Sequence, residues 1–328
     1  MLPNSTLITI DDNLSQVERF INDIIIMPRR QLKQWATITN QTPAAKVGYI
    51  GQHLASLITG VRGTGSGARG DDLADGTEVK SCNKIDQADK CKDCKSRVLR
   101  QETVCGNCGS TRIERKDDSK WLFSVRSQEE LDQYLNMNRI LLILLDYPNF
   151  KENDFQDIRI CAFEIYPQER RMNVFRNLIS NHYYNIYRPK ADRGAKTNPM
   201  NLHPWSFQFY KCNPIKTFEC VIKNIDADAT IEIKQFTEPL TERDNKMEVE
   251  PMPTHLLKQE EWDILLRKAS YKKISALMKD SNMKKQDFVR LSLEEKVQAL
   301  PVLNEELRNL IPLREIVSVT QSTQYHRT

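Results

Sequence analysis

Two pairs of cysteines in this 328-residue chain have the spacing of metal ligands. Cys91 and Cys94 form one C-x-x-C pair, and Cys105 and Cys108 form a second pair further on. Two such turns, brought together by a hairpin, supply the four thiolates that a tetrahedral zinc ion needs. A redox motif explains the pattern poorly, because a redox C-x-x-C normally occurs singly. The spacing therefore predicts a closed, structural zinc site within a cysteine-bearing insertion, residues 82–115.

A second group combines carboxylates with a lysine. Asp71 precedes a predicted turn at Asp75-Gly76, after which Glu78 and Lys80 alternate along an extended segment and share one face. Carboxylate oxygens with few other protein ligands suit Mg²⁺, which also accepts a phosphate oxygen. The metal would polarise the phosphate and activate a water that Lys80 orients, so the group predicts phosphodiester hydrolysis. An exposed acidic hairpin is the alternative, and the glycine-rich loop, helix and strand-like runs around the group favour the catalytic interpretation.

Composition and the remaining motifs exclude several classes of protein. With 39% hydrophobic and 28% charged residues, the chain is neither collagen-like nor disordered. The longest apolar run, residues 140–145, is too short to cross a bilayer, and no export signal is visible, so we expect a cytoplasmic protein. Residues 65–70 match the dinucleotide fingerprint G-x-G-x-x-G, but they follow a helix rather than a strand. No Walker lysine is present either.

The periodicity of apolar residues predicts an α/β pattern around these groups. We expect helices over residues 15–26, opened by a Ser15–Glu18 capping box, over 44–58 and over 168–184. Gly60 is the expected stop of the second helix, and Gly48 and Gly51 within it indicate a close backbone approach. Extended runs predict strands over residues 121–125, 140–146, 158–165, 205–210, 218–222 and 230–234.

The group of carboxylates and lysine also resembles a known family signature. Asp71, Glu78, Val79 and Lys80 resemble the D-x(n)-E-x-K signature of PD-(D/E)XK nucleases, the fold of many type II restriction endonucleases. Residues 46–54, the glycine loop and the six residues between Asp71 and Glu78 are similar to the K-G-x-x-G-x-x-L…D-x6-E-x-K pattern of the MutH mismatch-repair nuclease and its restriction-enzyme relatives. This similarity covers roughly residues 44–146. The zinc-bearing layout and helical tail resemble the MamI group of restriction endonucleases.

The resemblance implies a fold and a domain layout. The fold is an α/β PD-(D/E)XK restriction-endonuclease-like core, a mixed sheet flanked by helices, with a zinc-ribbon insertion and a helical C-terminal region. We expect the nuclease core over residues 1–236, with the four-cysteine zinc insertion at 82–115. An acidic, proline-containing linker follows at 237–254, and the helical region occupies 255–328.

The resemblance also implies roles for single residues. Asp71, Glu78 and Lys80 are the implied catalytic positions, and Asp71, Glu78 and Val79 the implied Mg²⁺ ligands. The spacing favours Asp71, with Asp72 as its rival. The family pattern has an acidic residue on the preceding helix where this chain has a different side chain. That position is Ala55, and the possible substitutes are Gln52 and His53.

Basic side chains predict contacts with DNA, although the net charge of +4 is small. The glycine loop places Arg62 and Arg69 to meet phosphates, and residues 169–196 combine basic side chains with tyrosines. A solvated helix face is the alternative for that segment. The polar residues 198–205 and 321–327 are further candidates. The basic candidates in the tyrosine-bearing segment are Arg188, Lys190, Arg193 and Lys196.

The sequence as a whole predicts a type II restriction endonuclease. It would hydrolyse double-stranded DNA with Mg²⁺, contain structural Zn²⁺ and act as a two-fold homodimer, because protein symmetry then mirrors a palindromic site. A cognate DNA methyltransferase is the expected functional partner. Two alternatives stay open: a zinc-stabilised DNA-binding protein without catalysis, in which Asp71 and Glu78 only cap a turn, and a monomeric repair nickase.

Overall fold

The computed structural model describes residues 7, 12–39, 47–65, 71–85, 88–100, 102–239 and 247–314. Its strands, in chain order, are β1 Thr77–Asn83, β2 Asp89–Cys91, β3 Arg97–Val98, β4 Ile113–Glu114, β5 Trp121–Phe123, β6 Arg139–Asp146, β7 Ile158–Ile165, β8 Met200–Leu202, β9 Ile215–Lys223, β10 Thr230–Phe236, β11 Met252–Pro253 and β12 Val302–Leu303.

Helices make up most of the remaining regular structure. The α-helices are α1 Asn13–Phe20, α2 Met27–Thr39, α3 Val47–Thr59, α4 Gln128–Asn136, α5 Val174–Asn181, α6 Arg188–Ala191, α7 Phe207–Lys211, α8 Gln259–Lys268, α9 Tyr271–Ser275, α10 Lys285–Arg290, α11 Leu293–Ala299 and α12 Glu305–Asn309. Ile21–Ile26 and His182–Tyr187 are π-helical, and short 3₁₀ turns occupy Phe150–Glu152, Arg170–Met172 and Thr254–Leu256. Within the described ranges, no helix is long and apolar enough to span a bilayer.

The described residues group into two compact units. The first is drawn from residues 1–122, 137–166 and 216–243, and the second from 123–136, 167–215 and 244–328. The chain passes between the units several times, so this grouping differs from the sequential layout that the sequence predicted. That layout of core, linker and tail stays a prediction.

A five-stranded mixed sheet forms the centre of the first unit, in the order β1-β6-β7-β9-β10. β1 runs parallel to β6, β6 antiparallel to β7, and β9 antiparallel to β10. β6 is buried along its whole length, as expected for a strand that reads as a continuous apolar run. Residues of α1 and α3, among them Val17, Leu54 and Ile58, share one core with Leu141 and Ile143 of β6. The predicted α/β class with a mixed sheet is confirmed.

The first helix departs from its predicted limits. Asp12 is its N-cap and accepts a hydrogen bond from Ser15 N–H at 3.1 Å, so the predicted Ser15–Glu18 capping box is wrong. The helical path also continues through the π-helical turn to Thr39, beyond the predicted end at Ile26. Apolar periodicity does not predict α2 because its apolar residues do not share one buried face: Trp35 and Ile38 are exposed, whereas Arg29 is buried.

Two glycines in and after α3 have the roles that the sequence indicated. A Cβ on Gly51 would lie 1.7 Å from Ser81 Oγ, so the missing side chain lets α3 approach β1 closely. Gly60 adopts φ +70°, which ends the helix in the left-handed conformation that glycine tolerates best. Gly48 has no such contact, since nothing lies within 4 Å of a Cβ built there.

Four predicted strands are present in the structure. They are residues 140–146, 158–165, 218–222 and 230–234, which correspond to β6, β7, β9 and β10. The predicted strand at residues 205–210 is wrong, because α7 occupies that segment. Trp205 has φ +61°, and Ser206 Oγ caps the helix by accepting the Phe209 N–H at 3.2 Å. Local capping here overrides the strand propensity of the aromatic residues.

The predicted helix over residues 168–184 is found in pieces. A 3₁₀ turn, α5 and a π-helical turn follow one another there. Further along, the segment assigned to a linker ends in packed structure, because Met252 and Thr254 are fully buried and β11 pairs with β12. Helices α8 to α12 follow, as the sequence predicted for this part of the chain.

Candidate active site and thiol cluster

A short hairpin carries the first acidic residue to the sheet. Gly63 bridges to Leu73, Thr64 N–H donates to Asp72 O at 3.0 Å, and Leu73 bridges to Thr77. Gly76, with φ +79°, closes the turn by donating its N–H to Leu73 O at 3.2 Å. The turn predicted at Asp75-Gly76 is therefore confirmed, and it reverses the chain directly into β1.

Asp72 lies where α3, the turn and β1 meet. Its Oδ2 accepts the Val79 N–H at 2.8 Å, and its Oδ1 accepts Gln52 Nε2 at 2.5 Å. Because both carboxylate oxygens have a donor, the side chain is held against the start of β1. Gln52 comes from α3, which Gly51 allows to lie close to the strand.

Glu78 and Lys80 lie two residues apart on β1, so their side chains share a face of the sheet. Lys80 Nζ forms an ion pair with Glu78 Oε1. Glu78 is buried and Lys80 is partly exposed, so solvent can reach the lysine end of the pair. Val79, between them, is buried and pairs with Leu141 of β6.

The electrostatics of the two carboxyl groups favour a cation. Burial raises the pKa of Glu78 above its ordinary value, against the opposing charge of Lys80, and Asp72 and Asp71 raise it further. Burial also raises the pKa of Asp72, although the Val79 N–H and Lys80 act in the other direction. Two acids whose ionised forms are disfavoured by burial gain from a bound positive charge.

Asp71, the acid that the spacing favoured, has a different environment. Its side chain is exposed, and its backbone carbonyl accepts Thr64 Oγ1 at 2.8 Å. It follows Asp72 among the charges that raise the pKa of Glu78. The geometry therefore brings Asp72 rather than Asp71 into contact with β1.

Of the α3 residues considered for a helix-borne metal ligand, one reaches the carboxylate site and the others do not. Gln52 reaches the carboxylate site through its bond to Asp72, and Ala55 is buried in the core. His53 is exposed, and its ring lies 5.8 Å from that of Phe20.

A buried arginine network behind the turn was missed from the sequence. Arg139, at the start of β6, donates Nη2 to Asp75 Oδ2 at 2.6 Å and Nε to Thr77 Oγ1 at 2.9 Å. Nη1 lies 3.4 Å from Oε2 of the fully buried Glu164. Burial lowers the pKa of Arg139, but the charges of Glu164 and Asp75 outweigh burial and raise this pKa above its ordinary value. An arginine and a glutamate within two apolar strands were the signals that could have revealed this network.

The four predicted zinc ligands lie together. One ligand atom from each of Cys91, Cys94, Cys105 and Cys108 falls within 4.8 Å of all the others. Among the described residues, no other group of three or more candidate ligand atoms has this property, so the carboxylate site offers two acidic side chains rather than three. The thiols and the strands β3-β2-β4 form a small separate core with Val98.

The two cysteine turns have the same backbone geometry. The residue after each pair is left-handed, Lys95 with φ +63° and Gly109 with φ +72°. Each donates its N–H to the carbonyl of the first cysteine in its pair, at 3.1 Å to Cys91 and 2.8 Å to Cys105. Two equivalent turns that face each other give the four-thiol arrangement of a structural zinc site.

Buried charge attaches this cysteine module to the sheet. Asp89 is fully buried, accepts the Lys116 N–H at 2.8 Å and lies 2.9 Å from Arg115 Nη1. The Arg115 guanidinium in turn stacks over Phe155, 4.5 Å from the ring centroid. The module is thereby fixed to the loop before β7 of the main sheet.

The predicted DNA-contacting residues are distributed over both units. Arg62 is exposed in the first unit, and Arg69 lies outside the described residues, as do residues 321–327. In the second unit, α6 and the residues directly after it carry the other candidates. Arg188, Arg193 and Lys196 are exposed there, and Lys190 is half-buried.

Together these features define the chemistry that the first unit can perform. Buried Glu78 and half-buried Asp72, with Lys80, lie at a sheet edge and suit a divalent cation and a phosphate ester. Four clustered thiols suit a structural metal.

Comparison with known proteins identifies the family. The family model of the MamI restriction endonuclease matches residues 34–255, and the chain belongs to this family. A type II restriction enzyme, MamI of Microbacterium ammoniaphilum, is 36% identical over 197 residues. These cover 60% of this chain and 56% of that enzyme, so the chain spans little more than half the length of its relative. No solved structure matches the chain.

Proposed function

We propose that this protein is a type II restriction endonuclease that hydrolyses phosphodiester bonds of double-stranded DNA at specific sequences, with Mg²⁺ as cofactor. The observation that carries the proposal is the meeting of Asp72, Glu78 and Lys80 at β1, with burial raising the pKa of both acids. Membership of the restriction-endonuclease family and the 36% identity to a type II enzyme support the same reaction.

The donor set at β1 fits Mg²⁺. Asp72 and Glu78 would hold the ion with their carboxylates and Val79 with its carbonyl, leaving positions for water and a phosphate oxygen. When bound, the ion supplies polarisation of the phosphate and a more acidic water. Lys80 orients the attacking water and stabilises developing charge, while Glu78 holds the Lys80 ammonium through their ion pair. Gln52 keeps the Asp72 carboxylate in place.

Asp72 is the acid that we assign to this site in preference to Asp71. The bond from Val79 N–H ties the Asp72 carboxylate to the residue between Glu78 and Lys80. Asp71, the position with the family spacing, remains close enough to raise the pKa of Glu78. Exchanging either acid for its amide distinguishes the two assignments.

The fold that we propose is the PD-(D/E)XK nuclease core. The D-x(n)-E-x-K residues follow a tight hairpin and lie on β1 of a mixed sheet, packed against α3. Within this core we assign Zn²⁺ to Cys91, Cys94, Cys105 and Cys108, where four thiolates close the coordination shell and leave no position for a reacting water. The zinc ion would therefore stabilise the module and take no part in hydrolysis.

The remaining expectations complete the proposal. Arg62 and Arg69, with Arg188, Lys190, Arg193 and Lys196, would contact DNA phosphates. A two-fold homodimer would cut both strands of a palindromic site, and a cognate methyltransferase would protect the host DNA.

Cleavage of DNA tests the proposal. Unmethylated bacteriophage DNA is incubated with the protein and Mg²⁺, beside a Glu78→Ala control, and the products are separated on a gel. Discrete fragments from the wild type alone are expected. Retention of DNA without cleavage would instead favour the zinc-stabilised binding protein. Conversion of supercoiled plasmid to the nicked form without linear product would favour the nickase.

A further inference from the structure

The helices α8 to α12 lie beyond the part of the chain that the family model matches, which ends at residue 255. The acids, the lysine and the four thiols of both candidate sites lie inside it. Any role of the helical region is therefore additional to that of the two candidate sites, which lie within the matched part of the chain.

Positive charge is concentrated in this region. Between residues 267 and 290 there are eight basic side chains and two acidic ones, Asp280 and Asp287, whereas the whole chain carries a net charge of +4. All eight basic side chains are exposed, and within the described ranges only Lys273 forms an ion pair, with Glu306. The eight are Arg267, Lys268, Lys272, Lys273, Lys279, Lys284, Lys285 and Arg290.

The segment that carries this charge is held firmly from its inner side. Phe288 of α10 is fully buried, with its ring 6.1 Å from that of Trp262 and 6.4 Å from that of Tyr271. Tyr271 Oη donates to Met283 O at 2.8 Å, which fixes the loop before α10. The outward side chains thus stand on a packed support.

The side chains that face solvent from this support have the composition of a nucleic-acid contact. Gln286 and Arg290 are four residues apart on α10 and point away from Phe288. Lys284 and Lys285 begin the helix, and Asn282 precedes them in the loop. Lysine, arginine and amide side chains are the usual donors to DNA phosphate oxygens.

We propose that these residues, with Lys279, form a DNA-binding face that grips the phosphate backbone of the duplex. The inference rests on the proposed function, since it assigns a second contact surface for the same substrate. The occupant is a DNA duplex because its phosphates carry the negative charge that these exposed cations, which lack carboxylate partners among the described residues, would neutralise. We call the set Lys279, Asn282, Lys284, Lys285, Gln286 and Arg290 the basic face.

The salt dependence of DNA binding tests the basic face. Lys284 and Lys285 are both changed to Gln in a Glu78→Gln background, which allows binding to be measured with Mg²⁺ and without cleavage. Each lost phosphate contact lowers the slope of log affinity against log salt by about 1. We expect the slope to fall by about 2 in fluorescence anisotropy with a labelled duplex, with an unchanged melting temperature.

The matched control removes the same charge elsewhere. Lys223→Gln with Lys234→Gln eliminates two lysines that pair with Asp157 and Glu232 in the first unit, and its slope should equal that of the Glu78→Gln parent. An unchanged slope in the Lys284 and Lys285 variant, or an equal fall in both variants, overturns the basic face while leaving the proposed function intact. A parent protein that binds no duplex at any salt concentration overturns both.

Discussion

The first unit contains two groups of metal-type ligands that differ in every physical respect. The thiol cluster has four soft ligands, two equivalent turns and its own small strands. The carboxylate site has two hard acids, a lysine and the edge of the main sheet. Four ligands leave a tetrahedral ion no free position, whereas two carboxylates leave Mg²⁺ room for water and substrate.

On the proposed assignments, the thiol cluster would contribute stability and the carboxylate site would contribute reactivity. In the thiol module, the metal would replace the hydrophobic core that so short a segment lacks. At β1, the fold instead maintains two acids that burial disfavours as anions. Carboxylates that are held where burial opposes their negative charge are typical of a functional site, here one that would bind a cation.

Loss of one thiolate should have the largest effect on the fold. Cys105→Ser leaves three ligands, and structural zinc in small domains contributes on the order of 10 kcal/mol of folding free energy. We expect zinc content to fall from one ion per chain and residues 88–116 to lose protection in hydrogen exchange. Cys212→Ala, which removes a fully buried thiol outside the cluster, is the control and should retain zinc. Full zinc occupancy in Cys105→Ser would refute the four-thiolate assignment.

Exchange of single acids sharpens the assignment at β1. Asp72→Asn keeps the shape of the side chain but removes a charge from the metal site, and we expect the cleavage rate to fall about 10²-fold or more, a barrier increase of about 2.7 kcal/mol. Asp71→Asn should change the rate less than tenfold, because that side chain is exposed. Single-turnover cleavage of plasmid DNA with Mg²⁺ measures both. The reverse order of effects would return the assignment to Asp71.

Two glycines of α3 should respond to alanine with opposite signs. A Cβ at Gly51 collides with Ser81, and overpacking of this kind costs about 1–3 kcal/mol. A Cβ at Gly48 meets nothing, so Gly48→Ala should stabilise the helix by up to about 1 kcal/mol. Chemical denaturation measures both changes. The Gly51→Ala cost should shrink in a Ser81→Gly background, and a cost that stays the same would show that Ser81 is not its cause.

The raised pKa of Glu78 predicts a smaller, pH-dependent effect. A carboxyl group with a higher pKa in the folded than in the unfolded protein binds its proton more tightly when folded. Its ionisation therefore lowers stability as pH rises from the unfolded value through the folded one. With a chelator that spares zinc, Glu78→Gln should melt above the wild type at pH 8 and equal to it near pH 4. Equal melting temperatures at both values would contradict the electrostatic account.

The grouping of the four thiols and the pairing of Glu78 with Lys80 could be predicted from the sequence because each depends on local spacing. The C-x-x-C pairs and the E-x-K alternation are set by turns and by the two-residue period of a strand. The sequence favoured Asp71 by its spacing, and it could not show that Asp72 contacts the Val79 N–H and Gln52 of α3. Nor could it show the partners of Arg139 on other elements, or separate a strand from α7 in an aromatic run.

The sequence does not show which side chains of the basic face point to solvent. The lysines of this face lie among apolar residues at helical spacing, and only the burial of Phe288 and Trp262 shows which side chains remain outside. Charge counting favoured residues 169–196 equally well. Residues 169–196 and 267–290 have similar charge, and composition alone does not show how each segment packs against the rest of the protein.

We propose that β1 holds the reactive metal and that the thiols hold the structural one. The most direct test of this assignment measures cleavage and zinc content on one preparation of Glu78→Ala. Loss of a metal ligand should remove about 4 kcal/mol of transition-state stabilisation, a fall of about 10³-fold in rate. We expect this loss of cleavage together with one zinc ion per chain and a folded protein. Cleavage at the wild-type rate would contradict it.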